Sequence, residues 1–283
     1  MTLAESLDFY KQRLSAVADP AEASAMSTLL LEHVLQLDRA LFYKLKRSEL
    51  TVEQQQQLTQ LSGHALTGRP LQYVLGEAWF CGLRLRVTDR VLIPRPETEE
   101  LVEWIIANCR FPVSKLQILD MGTGSGCIAL ALKRRIRKAM VTAVDIDPEA
   151  LAVARQNAQQ LGIDIQFVEA DLSATNSWSQ IPDADIIVSN PPYISAAEKT
   201  EMSANVLDHE PHLALFAPDN DPVFFYRRLV ELADKKLHSE GQLFAELNPS
   251  YAADIAMLFQ QANFEVALKK DMQGKDRMLR AWR

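Results

Sequence analysis

Cysteine is sparse in this chain. Three thiols, Cys81, Cys109 and Cys127, stand among 283 residues. An odd number with no Cys-x-x-Cys spacing excludes a complete disulfide framework and a dithiol redox pair. They read as reduced, mostly buried thiols of a cytoplasmic protein. Histidine is equally thin: His33, His64, His209, His212 and His238 show no ligand spacing, and His209-x-x-His212 spans Pro211 in what reads as a loop. No metal is expected. No stretch approaches the roughly 18 apolar residues of a spanning helix, so no membrane partner is expected. Met1-Thr2-Leu3-Ala4-Glu5 lacks the basic start and apolar core of a signal peptide. Cations are outnumbered, 30 Lys and Arg against 37 Asp and Glu, for a net charge of −7 and a pI near 5.4. That balance argues against DNA binding, whose affinity draws on Lys and Arg meeting phosphates. The one basic cluster, Lys133-Arg134-Arg135-Ile136-Arg137-Lys138, reads as the solvated end of a helix.

What is present divides in two. The first seventy residues carry only helical signals. Met26, Leu29, Leu30, Val34 and Leu37 recur at the three-and-four spacing of one helical face. Asp38 is placed to cap a short helix through Leu45, and Thr51-Val52-Glu53-Gln54 is a capping box opening another that Gly68 can close. From Phe80 to Ile93 apolar residues alternate (Leu83, Leu85, Val87, then Val91 and Ile93) around Thr88-Asp89-Arg90, the pattern of a β-hairpin. Beyond Pro96 strands and helices alternate, which implies a parallel sheet flanked by helices. The last two strands, 264–268 and 277–282, leave no room for a helix between them and should pair antiparallel at the sheet edge. The expected organisation is a helical domain over 1–72, a β-hairpin linker over 73–95 and an α/β domain over 96–283.

Chemistry gathers at the strand ends. Leu116 to Asp120 is a short apolar strand, followed by Met121-Gly122-Thr123-Gly124-Ser125-Gly126 and a helical run from Cys127. A strand, a glycine turn and a helix bring backbone N–H groups and the helix dipole close to an anionic group. The next strand ends on Asp145, about 20 residues beyond the last glycine, where a carboxylate reaches ribose hydroxyls in such folds. A third strand leads to Asp171-Leu172, whose acid can accept from an exocyclic amine. Each acid taken alone is an ordinary solvated strand end, but three strand ends carrying a glycine turn, Asp145 and Asp171 in order favour a nucleoside site. The glycine turn has no Lys or Arg, and the Gly-x-x-x-x-Gly-Lys phosphate loop is absent. An adenosine with an amino-acid tail, S-adenosylmethionine, fits better than a pyrophosphate. At the end of the fourth strand stands Asn190-Pro191-Pro192-Tyr193. Asn190 can read the edge of a planar amide, the prolines fix the turn and leave its carbonyls free of competing N–H donors, and Tyr193 can cover a flat group. A plain Pro-rich turn is the alternative.

Together these motifs resemble the class I S-adenosylmethionine methyltransferases, Rossmann-like proteins with a mostly parallel seven-stranded sheet. Asn-Pro-Pro-Tyr resembles the form found in those that methylate planar nitrogens. Arg69 to Glu77, and above all Val91-Leu92-Ile93-Pro94-Arg95-Pro96-Glu97-Thr98-Glu99, are similar to the inter-domain segment of the bacterial release-factor glutamine methyltransferases. Asp208-His209-Glu210-Pro211 and Gly274-Lys275-Asp276-Arg277 resemble further parts of that family. Departures are Glu246-Leu247-Asn248-Pro249, where Glu-Ile-Gly is more usual, and Leu172, where some relatives carry an aromatic.

The resemblance implies a cytoplasmic enzyme that methylates the glutamine of a Gly-Gly-Gln loop in peptide chain release factors, its helical domain recognising the protein substrate. A monomer is expected; the residues themselves do not encode an oligomeric state, and nothing resembles a coiled-coil seam. Cofactor contacts are then expected from Gly122, Thr123, Gly124, Ser125, Gly126, Asp145, Asp171, Leu172 and Asn190. Catalysis falls to Asn190, Pro191 and Tyr193, with Pro192 also touching the substrate: Asn190 and the Pro191 carbonyl take the amide hydrogens while Tyr193 packs on its plane. Arg95, Glu97 and Thr98 either close over the cofactor or belong to a purely structural linker. The rival enzyme is an N(6)-adenine DNA methyltransferase, or an RNA counterpart, using the same tetrapeptide on a flipped base. A binding protein with a dead site is the non-enzyme alternative.

Overall fold

The computed structural model describes residues 1–37, 39–109 and 116–283; the cap expected at Asp38 lies outside them. Two compact units emerge, Met1–Gly76 with Ser203–His209, and Glu77–Met202 with Glu210–Arg283. The first contains α1 (Leu3–Leu14), α2 (Pro20–Leu35), α3 (Arg39–Lys44), α4 (Val52–Ala65) and α5 (Leu71–Leu75). Thr2 and Thr51 each close a reciprocal capping box, with Glu5 and Gln54, and Asp19 caps α2 just before Pro20. Leu3, Leu14, Leu30, Leu31 and Leu58 form its core. The apolar face of α2 is rotated from the one expected: Ala23, Ser27, Leu30 and Leu31 are buried, while Met26, Leu29 and Val34 pack only partly. Leu37 lies past the helix, because Gln36 turns left-handed at its end.

The second unit opens with a hairpin of β1 (Glu77–Phe80) and β2 (Leu83–Arg86). The hairpin expected around Thr88-Asp89-Arg90 turns instead at Cys81-Gly82, where Phe80 pairs with Leu83. Both turn residues have positive φ, 48° and 72°, as a two-residue turn matched to strand twist requires. Helix α6 (Pro96–Asn108) follows. The sheet then builds from β3 (Gln117–Met121), β4 (Met140–Asp145), β5 (Gln166–Glu169), β6 (Ala184–Ser189), β7 (Leu237–Glu246), β8 (Glu265–Lys270) and β9 (Asp276–Trp282). The connecting helices are α7 (Cys127–Arg135), α8 (Pro148–Leu161), α9 (Ala204–His209, grouped with the first unit), α10 (His212–Leu215), α11 (Phe224–Lys236) and α12 (Ala252–Gln261).

The seven strands lie in the order β5-β4-β3-β6-β7-β9-β8. All neighbours pair in parallel except β9, which is antiparallel to both β7 and β8. Strands β3 and β6 are buried along nearly their whole length, which is why they read as continuous apolar runs rather than alternating ones. From β3 the chain winds outward through β4 and β5, then returns to lay β6 on the other side. Ligands bind at the carboxyl ends of such a switch point. Met121 there sits opposite Ser189, whose hydroxyl donates to the Met121 carbonyl at 2.7 Å. The glycine turn and the Asn190 tetrapeptide are thus neighbours.

Candidate active site

The turn after β3 is held first by backbone bonds. Gly122 and Thr123 N–H both donate to the Val144 carbonyl at 2.9 Å. Gly122 and Gly124 have φ of 74° and 54°, and a Cβ at either would meet nothing within 4 Å. They serve backbone shape and leave an open cradle. Gly126 differs: a Cβ there would come within 3.1 Å of Ala154 Cβ and 3.2 Å of Leu130 Cδ1, so its bareness lets α7 approach α8. Asp145 closes the loop from β4, accepting from Gly124 N–H at 2.8 Å and Asp147 N–H at 3.0 Å. Burial raises its carboxyl above the usual range. Each oxygen keeps a lone pair for a further donor.

Asp120, the last acid before the turn, went unassigned in the sequence. It is fully buried; Oδ2 accepts from the Thr123 hydroxyl at 2.6 Å and Ala129 N–H at 3.1 Å, while Oδ1 has no partner. Burial pushes its carboxyl up to about 7. Beside it the Ser125 hydroxyl is buried and meets at most the Cys127 thiol, a weak partner. An acid ending an apolar strand directly before a glycine turn was the signal available.

A cavity of about 380 Å³ opens on this turn. Gly122, Thr123, Gly124, Ser125, Asp145, Asp171, Leu172, Asn190, Pro191 and Pro192 all line it. Gly126 and Tyr193 stand outside its lining. Of the segment left open in the sequence, Arg95 and Thr98 line the cavity and Glu97 does not. Asp171 is engaged by Ser173, whose N–H and hydroxyl each donate at 2.7 Å. Cys127 also lines the wall, but burial pushes its thiol up to about 12, far from the thiolate a nucleophile needs. Among the described residues no group of three His, Cys, Asp or Glu is placed to hold a metal ion.

Asn190 begins a buried chain of polar contacts. Its Nδ2 donates to Thr98 Oγ1 at 3.2 Å, and the Thr98 hydroxyl donates to Glu246 Oε2 at 2.6 Å. The Tyr193 hydroxyl donates to Glu246 Oε1 at 3.2 Å, so its ring reaches the β7 tip and packs on the core beneath. Tyr226 secures the same residue by donating to the Glu246 carbonyl at 2.9 Å. Burial raises both the Glu246 carboxyl and the Tyr193 phenol. Arg95 reaches across to both oxygens of buried Glu210, at 2.6 and 2.7 Å. Sequence reading missed Thr98 and Glu246 as a pair; the one sign was an acid closing the apolar strand β7.

Residues 98–213 match the family model of the methyltransferase small domain, and residues 5–76 that of the PrmC N-terminal domain. A release factor glutamine methyltransferase of Flavobacterium psychrophilum is 43% identical over 96% of this chain and 95% of its own length. That of Bacteroides thetaiotaomicron is 42% identical over 96% of this chain and 97% of its own. Among solved structures, a methyltransferase from Pyrococcus furiosus shares the fold, with a TM-score of 0.52 and 19% identity over 71% of this chain and 89% of that one. With such identity along nearly its full length, the chain belongs to the release factor glutamine methyltransferases.

Proposed function

We propose that the cavity seats S-adenosylmethionine along the glycine turn and a release-factor glutamine on Asn190 and Pro191, and that the enzyme methylates the side-chain nitrogen of the glutamine in a Gly-Gly-Gln loop. The observation that carries this is the Asn190 amide and the glycine turn opening on one cavity. The cradle fits the cofactor. Gly122 and Gly124 leave room where a side chain would stand, and the buried Ser125 hydroxyl, left without an oxygen or nitrogen partner, lines the cavity. Asp145 is assigned to the ribose, and Asp171 with Leu172 to the adenine. Gly126 contributes by closing α7 onto α8. The bound cofactor supplies an electrophilic methyl carbon on a sulfonium sulfur.

The protein's task is to make a poor nucleophile attack. An amide nitrogen shares its lone pair with the carbonyl, so alignment and polarisation must supply the rate. Asn190 Oδ1 and the Pro191 carbonyl accept the two amide hydrogens, drawing electron density onto nitrogen as the N–C bond forms. Pro192 stiffens the turn, and Tyr193 acts through the hydroxyl that holds Glu246. Alignment of this kind is worth roughly 7–11 kcal/mol. The methylated nitrogen becomes acidic and releases its extra proton to water. The helical region, 1–72, is assigned to grasping the release factor in the cytoplasm, 73–95 to linking, and 96–283 to transfer. Incubation with labelled cofactor and, separately, release factor, DNA and ribosomal RNA tests this. Label should enter only the release factor, and none should enter one whose Gly-Gly-Gln glutamine is replaced; labelled nucleic acid would overturn it.

A further inference from the structure

We propose that Thr98 and Glu246 are positioning residues that fix which way round the Asn190 amide stands, so that the site accepts a carboxamide and refuses a carboxylate. The idea rests on the glutamine reading above and deepens it.

A threonine hydroxyl has a single hydrogen to give. Thr98 gives it to Glu246 Oε2 at 2.6 Å, within the range of an O–H···O hydrogen bond. Toward Asn190 the hydroxyl can then only accept, and the end of the amide it meets at 3.2 Å is Nδ2. Oδ1 is left at the opposite end of the amide plane, on a residue lining the cavity. An oxygen there accepts an N–H from glutamine. It repels a glutamate carboxylate, which at neutral pH has no hydrogen to offer.

The polarity of this chain is set at its buried end. Oε1 of Glu246 accepts from the Tyr193 hydroxyl at 3.2 Å, so both carboxylate oxygens receive a hydrogen. Facing the carboxylate are Glu97 and Thr98 from α6, Tyr193, and Arg277 from β9, while Tyr226 of α11 holds its backbone carbonyl. Burial acts first and raises the carboxyl; the Thr98 and Tyr193 hydrogen bonds and the Arg277 charge favour the ionised form, and Glu97 opposes it. Thr98 and Glu246 are each 2% exposed, so solvent cannot readily replace a lost partner. Were Glu246 to donate instead of accept, the Thr98 hydroxyl would turn toward Asn190 and demand Oδ1, reversing the amide.

Thr98→Ser, Thr98→Val and Glu246→Gln in the full-length chain test the proposal, each checked by its unfolding midpoint. Thr98→Ser should keep kcat within about threefold of the parent, whereas Thr98→Val and Glu246→Gln should lose about 10–100-fold, the size of loss known where a partner that orients a metal-ligating side chain is removed. Cofactor Kd by calorimetry should barely move in any of the three. In ¹⁵N spectra the Asn190 side-chain NH2 signals should match between parent and Thr98→Ser and shift in Thr98→Val. A release factor with glutamate at the acceptor position should compete better against Glu246→Gln than against the parent. Parental kcat or unshifted NH2 signals in Thr98→Val would overturn the proposal, as would equal competition by the glutamate form. If the parent itself leaves release factor unlabelled, the glutamine reading and the selectivity fall together, while the NH2 spectrum still decides the orientation of Asn190.

Discussion

Asp120 and Asp145 share a turn but hold different stakes. Asp120 is raised to about 7 because burial outweighs the two hydrogen bonds it accepts. An acid raised in the folded state keeps its proton there longer than in the unfolded chain. Its contribution to stability is therefore full below the unfolded value near 3.9 and is lost as pH climbs through 7, at about 1.4 kcal/mol per pH unit. Asp120→Asn keeps an acceptor for Thr123 and Ala129. Between pH 5 and 7 the parent should accordingly lose about 2–3 kcal/mol more unfolding free energy than the variant; urea titrations at the two pH values show it, and parallel losses would refute it. Asp145 instead anchors Gly124 and faces the cavity. Asp145→Ala should weaken cofactor binding by about 1–3 kcal/mol, and unchanged affinity by calorimetry would make it scaffold alone.

At the scale of elements, the strand tips were the legible part. Short strands leading into the glycine turn, Asp145, Asp171 and Asn190 carried their own signals, and the parallel sheet aligned them. The Asn190–Thr98–Glu246 chain was not legible, because α6, the β6 tip and β7 meet only through the sheet and no local spacing records it. The hairpin turn was misplaced for a related reason. Thr88-Asp89-Arg90 looks like a turn, whereas a cysteine at φ 48° announces nothing in sequence. The glycines of the turn also divide only once packing is visible. Gly126→Ala should cost about 2–3 kcal/mol of stability, combining left-handed backbone strain with a contact that must give way. Gly124→Ala meets open space and only the backbone strain of its positive φ, so it should cost less, about 1–2 kcal/mol, and also weaken cofactor affinity. Equal urea midpoints for parent and Gly126→Ala would contradict that division.

The whole molecule joins a net charge of −7 to a cavity on which the glycine turn and Asn190 both open. Charge spoke against nucleic acid before any strand was placed, and the resemblance carried by Ile93-Pro94-Arg95-Pro96-Glu97-Thr98-Glu99 pointed to release factors. The grouping of Ser203–His209 with the N-terminal helices had no trace in the sequence, since a short helix far along the chain bears no mark of its distant partners. All of it converges on the Asn190 amide as the grip on the acceptor. Single-turnover methyl transfer by Asn190→Ala, run beside calorimetry of cofactor binding, tests that grip most directly. The account expects a rate about 100-fold slower or worse, as when one preorganised hydrogen-bonding group is removed, with cofactor affinity nearly intact; a rate near that of the parent would contradict it.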